Sequence, residues 1–423
     1  MKLKLGKLDD FLYTVLVLAI ISLSGSLWGW TTPYPLYTEF IIVIYFLAKK
    51  INNKSIVVNK SHLYIFLFII TVYLINFGLI ARIDLWGQKS IFFNFFAVYI
   101  CIMDLSYDKY TDKYIYCMVA LAAINVVFWC LGLMGIQFLA SNVSYGDGLI
   151  YNMNPFVVYR FALSEGAWMY PAYRNFGMFW EPGCYQSFLN LALLFFVQKI
   201  DVNWMKNRKK LFEFVVLVIT ILSTMSTTGY ILLAINILIL YMRMMKKMNK
   251  KTAIIFLCSL GFMAVVLSSS VIADKFNPSS VNYSSYATRL NDNISGIKVA
   301  FHSPIWGLGH ISKKYIDTLL SYNITANSSG ILRTIQEFGI PFGVWYFIRQ
   351  CYSLMVYGKR REIPRLARTL YCIFLFILLS SEPISTNPAF FALVFTLPDA
   401  FKNSKEIPAI RGMNIAFRDI DRT

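Results

Sequence analysis

Apolar runs recur along this chain at about 20-residue spacing, separated by short charged or polar segments. That length lets a helix cross roughly 30 Å of hydrocarbon, and in lipid a helix satisfies all its backbone polar groups internally. The pattern predicts an all-α integral membrane protein with about twelve transmembrane helices. They are expected near residues 11–30, 35–48, 63–80, 90–105, 114–139, 184–200, 211–224, 228–245, 252–272, 330–357, 366–382 and 385–401. Residues 1–423 form a single polytopic membrane domain in this reading, with no separate soluble domain. Two connections are long: 140–183 and 273–329. Long connections between packed elements are usually functional or disordered, so candidate chemistry is sought there.

Composition agrees with the pattern. Of 423 residues, 57% are hydrophobic and 17% aromatic, and the mean hydropathy is +0.55. A soluble domain averages roughly 45–50% apolar. A net charge of +18 invites a nucleic-acid reading, but position decides against it. About 29 of the 40 Lys and Arg fall in alternate connections and the two tails, for example Lys199 to Lys210 and Lys359 to Arg368. The positive-inside rule puts both termini in the cytoplasm and both long connections outside. The basic start and apolar run of the N-terminus mimic a signal peptide. The run is long, though, and continues into WGWTTPYP without a convincing small-residue cleavage site, so a retained first helix is expected. Seven cysteines lie in or beside apolar segments without CxxC spacing, and indicate neither a disulfide framework nor a zinc site.

The connection 140–183 ends in RNFGMFWEPG (174–183), which places Arg174 and Glu181 where an aromatic loop re-enters an apolar helix. Ionisable groups at a membrane surface are costly to keep there and are usually functional. The aromatics of this loop, Tyr173 and Trp180 among them, have two readings. They are a headgroup belt, or a platform on which sugar rings stack. Arg160, Arg174 and Arg289 offer rigid forks that match a phosphate or pyrophosphate; an isolated external Arg also serves as a lipid-headgroup anchor. His310 closes HSPIWGLGH, where it is either a general base or a solvated surface imidazole. Arg333 and Glu337, four apart in ILRTIQEFG, are placed to pair on one helix face, and Arg333 is also placed to reach the external cavity. No external DxD pair, P-loop, HExxH or GxSxG occurs, so no metal or cofactor is expected.

Taken in order, RNFGMFWEPG at 174–183, LSTMSTTGYILLA at 222–234, YATRLNDNISGIKVAFHSPIWGLGH at 286–310, ILRTIQEFGIPFG at 331–343 and SSEPISTNPAFFALVF at 380–395 resemble the O-antigen polymerase and ligase superfamily of bacterial polysaccharide enzymes. The resemblance implies a membrane glycosyltransferase, of GT-C-like helical architecture, at the outer face of the bacterial inner membrane. Its substrate would be a glycan on undecaprenyl pyrophosphate, with membrane lipids and a polysaccharide chain-length regulator as further partners. It implies that Arg174, Arg289, Arg160 and Arg333 bind pyrophosphate and that Glu181 or His310 takes the acceptor proton. In ligases of this superfamily a histidine stands shortly before the L-x-x-L-x-E-x-G stretch. That position here is Ser328, which favours a polymerase over a ligase. A lipid-linked oligosaccharide flippase is the remaining alternative.

Overall fold

The computed structural model describes residues 2–27, 40–41, 44–45, 56–85, 88–145, 149–162, 173–201, 203–244, 283–395 and 415–418. The expected span 252–272, most of 35–48, the end of 385–401 and loop residues 163–172 and 273–282 lie outside them. The described chain is mostly helical. Its helices are α1 (Lys2–Leu23), α2 (Lys60–Ile75, continued by a π-helical turn Asn76–Ala81), α3 (Lys89–Leu133), α4 (Pro182–Lys199), α5 (Arg208–Ser223) and α6 (Thr227–Met244). After these come α7 (Tyr283–Ala300), α8 (Lys313–Ser321), α9 (Gly330–Phe338), α10 (Ile340–Arg360), α11 (Arg365–Ser381) and the short α12 (Pro388–Phe391). Among the described residues, three stretches are long and apolar enough to cross a membrane by length and composition: Ser61–Ala81, Tyr107–Leu133 and Thr227–Met244.

Helix α4 is the centre of the bundle. Every residue from Pro182 to Gln198 is buried, as in a helix surrounded on all sides by other elements. It packs against α3, α5 and α6. Polar side chains cross its contact with α6: Asn190 Nδ2 donates to the Gly229 carbonyl at 3.2 Å, and Asn236 Nδ2 to the Asn190 carbonyl at 3.1 Å.

Several expected boundaries move, each for a visible reason. The spans expected at 90–105 and 114–139 are joined, because SYDKYTDKY between them holds no Gly or Pro to end a helix. Its charges find partners instead: Lys113 meets Asp10 and Asp112 meets Lys199, both at 2.6 Å, while Asp108 pairs with Arg361. Conversely, the span expected at 330–357 is two helices. At Gly339, φ is +92° and the chain breaks, so α9 is a separate nine-residue helix before α10. Helix α11 ends at Ser381, which leaves Glu382 in extended backbone.

The long connections are also partly ordered. The first contains a three-stranded antiparallel sheet of β2 (Ser141–Tyr145), β3 (Leu149–Met153) and β4 (Val158–Ala162), with Asn152 opposite Asn142 and Arg160. It packs Tyr151, Met153 and Val158 on Leu27 and Phe176. A separate parallel pair joins β1 (Ile56–Asn59) to β5 (Ile415–Arg418). The second long connection carries α7 and α8.

Candidate functional site

The RNFG motif is held at the top of α4 by neighbours on three sides. Buried Asn175 donates twice to Ser223: its backbone N–H to the Ser223 carbonyl at 3.0 Å and its Nδ2 to the Ser223 hydroxyl at 2.9 Å. Asn175 Oδ1 then accepts from the Gly177 N–H at 3.0 Å, which closes a short Asx-type turn. On the other sides, the Gly177 carbonyl accepts from Val158 of β4 at 2.7 Å, and Leu27 N–H bonds the Met178 carbonyl at 3.0 Å. Arg174 is thereby placed over the end of α5, where Nε and Nη2 donate to the Thr224 and Met225 carbonyls at 3.3 and 3.4 Å. A cation is favourable at a helix C-terminus. The polar turn STMSTTG, structural on sequence grounds, is the seat of this loop.

Glu181 is the N-cap residue of α4, with Pro182 at the first helical position. It meets a residue that sequence reasoning did not single out. Glu382, 1% exposed, lies within hydrogen-bond reach of the Glu181 carboxyl and accepts from Arg289 Nη2 at 3.3 Å. Burial, then the charge of Glu181, push Glu382 well above the ordinary carboxylate range, while Arg289 opposes them. Gly183 makes the approach feasible: a Cβ there would stand 2.2 Å from Glu382 Oε1. The Arg289 side chain is 36% exposed, so one edge is held and the rest faces outward.

The second charged group lies along α9. Arg333 Nε donates to Glu337 Oε1 at 2.9 Å, the pairing expected from their spacing. The other oxygen, Oε2, is 2.8 Å from His310 Nδ1. His310 is stacked between Phe77 and Phe338, with centroids at 5.2 and 6.3 Å, and its own N–H bonds Asn76 Oδ1 at 2.8 Å. Asn76 Nδ2 in turn bonds the Glu337 carbonyl at 2.7 Å, so the π-helical turn after α2 locks loop and helix together. Two glycines permit the close approach. Gly307 has φ +75° and Gly339 φ +92°, and a Cβ would stand 2.2 Å from the Glu337 carbonyl oxygen or 2.1 Å from that of Ile305. Leu308 and Gly309 N–H groups then bond the Gln336 and Glu337 carbonyls at 2.8 and 3.1 Å, which satisfies the end of α9.

Glu337 is buried, which alone would raise its pKa. The charges of Arg333 and His310 outweigh burial and bring it down to about 2. In its neutral form, His310 donates the Nδ1 proton to ionised Glu337, which leaves the lone pair on Nε2. With a 14% exposed side chain, His310 is restrained but reachable. This is the arrangement of an oriented general base.

Helix α9 connects the two groups. The Gly330 N–H bonds the Glu382 carbonyl at 3.1 Å, and the Thr334 and Ser385 hydroxyls are 2.6 Å apart. From Gly330 to Glu337 the helix rises about 10 Å at 1.5 Å per residue. Arg289 and Glu181 therefore stand at one end of α9, and Arg333 and His310 toward the other. Arg174 is tied to the α5–α6 turn and Arg160 to the sheet, opposite Asn152. Of the two aromatics, Tyr173 is 47% exposed, whereas Trp180 packs against the bundle core beside Gly25.

Glu382 and Asn76 were the residues missed. Glu382 sits alone at the end of an apolar run, which is a signal in itself, but its partner Arg289 is 93 positions away. Comparison with known proteins adds nothing to the geometry: no protein-family model and no curated protein matches this chain.

Proposed function

We propose that this chain is a membrane polysaccharide polymerase of the O-antigen polymerase and ligase superfamily. In this reading about twelve helices form a GT-C-like bundle in the bacterial inner membrane, with both termini cytoplasmic and the site at the outer face. The chain joins undecaprenyl-pyrophosphate-linked repeat units, with a chain-length regulator as a partner. The observation that carries the reading is the oriented imidazole: His310 Nδ1 lies 2.8 Å from Glu337 Oε2, beside Arg333.

The chemistry follows from the groups present. An acceptor sugar hydroxyl gives its proton to His310 Nε2 as its oxygen bonds the anomeric carbon of the donor. The bond from that carbon to the pyrophosphate oxygen breaks, and its electron pair leaves with the polyprenyl pyrophosphate. Glu337 stabilises the imidazolium that forms, and Arg333 keeps Glu337 ionised. Charge develops on the leaving pyrophosphate, where guanidinium forks act best; Arg289, Arg174 and Arg160 are the residues assigned to it. Direct displacement inverts the anomeric carbon. Tyr173 offers an exposed ring for stacking on a sugar.

The pairing of Glu181 with Glu382 favours His310 as the base. A deletion strain separates the candidate activities. A polymerase deletion leaves a surface glycan of single repeats; long chains stranded on carrier lipid would identify a ligase, and repeats trapped inside a flippase. Arg174→Ala and Arg289→Ala are each expected to abolish long chains while the protein still inserts. Normal chain length in both would eliminate the arginine–pyrophosphate assignment.

A further inference from the structure

We propose that Glu181 and Glu382 share one proton as an acid pair, and that this pair is the counter-charge that positions Arg289. Glu382 Oε2 is buried with no hydrogen-bond partner among the described residues, and the Glu382 carboxyl lies within hydrogen-bond reach of that of Glu181. Ionised carboxylates only accept, so two of them in contact repel unless one carries a proton. With one proton between them, the contact becomes a hydrogen bond and a single negative charge remains. Arg289 Nη2, 3.3 Å from Glu382 Oε1, neutralises it.

The surroundings force the two groups together. A Cβ at Gly183 would lie 2.2 Å from Glu382 Oε1 and 3.7 Å from Glu181 Oε1, so both carboxyls converge over the first turn of α4. Pro182 fixes that turn, and the extended backbone at Glu382 is held by the Gly330 N–H of α9. Among the described residues, the charged or titratable groups facing Glu382 are Glu181 from the motif loop, Arg289 from α7 and the Cys184 thiol from α4. Water has little access to the inner partner, which is 1% exposed. The raised affinity of Glu382 for its proton, caused first by burial and then by Glu181, agrees with the geometry.

The sign of the pH effect follows. The folded protein holds a proton that the unfolded chain releases at ordinary carboxylate pH, so stability falls as pH rises above the ordinary carboxylate range. Glu382→Gln keeps the shape, donates to Glu181 and still offers an oxygen to Arg289, but cannot ionise. Its melting temperature, measured on the purified full chain in lipid nanodiscs, is expected to lose that alkaline decline. The infrared band of a protonated carboxyl is expected in the parent protein at pH 7 and to vanish in the variant. An unchanged pH profile, or no such band in the parent, overturns the shared proton, as does failure of Glu382→Gln to insert.

The positioning role has its own readout and rests on the polymerase reading. Glu382→Ala frees Arg289 and is expected to shorten the glycan as Arg289→Ala does; full-length chains from it overturn that role. The melting and infrared arms do not depend on activity, so failure of the acid pair and failure of the polymerase reading are distinguishable.

Discussion

His310 and Glu337 illustrate how much one carboxylate does when two of its oxygens have different partners. Glu337 Oε1 takes Arg333 and Oε2 takes His310, so the same group pairs a charge and orients an imidazole. Removing a positioned general base costs about 10²–10⁴-fold in rate. His310→Ala is expected to show a loss of that size in glycan elongation while its membrane insertion matches that of the parent protein. The acid limb of stability belongs to Glu337. Its pKa falls from about 4.5 unfolded to about 2 folded, so its contribution is present above the unfolded value and is lost as pH drops through that window. Melting temperatures of the parent protein are expected to fall between about pH 4.5 and 2, and Glu337→Gln to remove most of that fall. Equal slopes for both proteins would place the acid sensitivity elsewhere. At this scale the sequence exposed His310, Arg333 and Glu337, because ionisable residues stand out in apolar surroundings. It also exposed Glu181, but not its partner. Glu382 meets Arg289 across 93 positions, and no local spacing rule carries that contact.

Elements were read best where an apolar run ends in a chemical stop. Expected spans 184–200, 211–224 and 228–245 appear as Pro182–Lys199, Arg208–Ser223 and Thr227–Met244. Pro182 starts the first and the Asn207 side chain caps the second by accepting from Lys209 and Lys210 N–H groups. Hydropathy misled in two places. It divided α3 at a charged stretch that helical turns run straight through, and it fused α9 to α10 across Gly339. Hydropathy averages over a window, whereas a positive φ at one glycine decides a break. Gly339→Ala tests that point directly: its Cβ would meet the Ile305 carbonyl oxygen at 2.1 Å. The loop carrying His310 must then shift, and activity is expected to fall along with thermal stability. Asn175→Ala tests the other seat. It strips a buried side chain of its bonds to Ser223 and Gly177 and is expected to cost about 1–3 kcal/mol in unfolding free energy. A change below a few tenths would mean that the sheet and α1 hold the loop unaided.

Across the whole molecule, charge collects at the two ends of α4. Glu181 marks one end, with Glu382 and Arg289 beside it. Lys199 marks the other, and there it pairs with Asp112 while Arg361 pairs with Asp108. Eighteen residues of helix separate the ends by about 27 Å, close to the roughly 30 Å of a hydrocarbon core. The basic segments 109–113, 199–210 and 359–368, assigned to one side from sequence, meet at the Lys199 end. Their gathering was legible as clusters of like charge along the sequence, whereas the β2–β4 sheet was not, hidden in a connection read only as an aromatic loop. In intact cells a membrane-impermeant maleimide is expected to label Tyr173→Cys and to spare Lys359→Cys. The reverse pattern would invert the orientation.

The most direct test of the account is the surface glycan of a deletion strain carrying His310→Ala in place of the parent gene. The expected result is a ladder collapsed to single repeats, with the protein present in the membrane at parental level. A full-length ladder from that strain would contradict it.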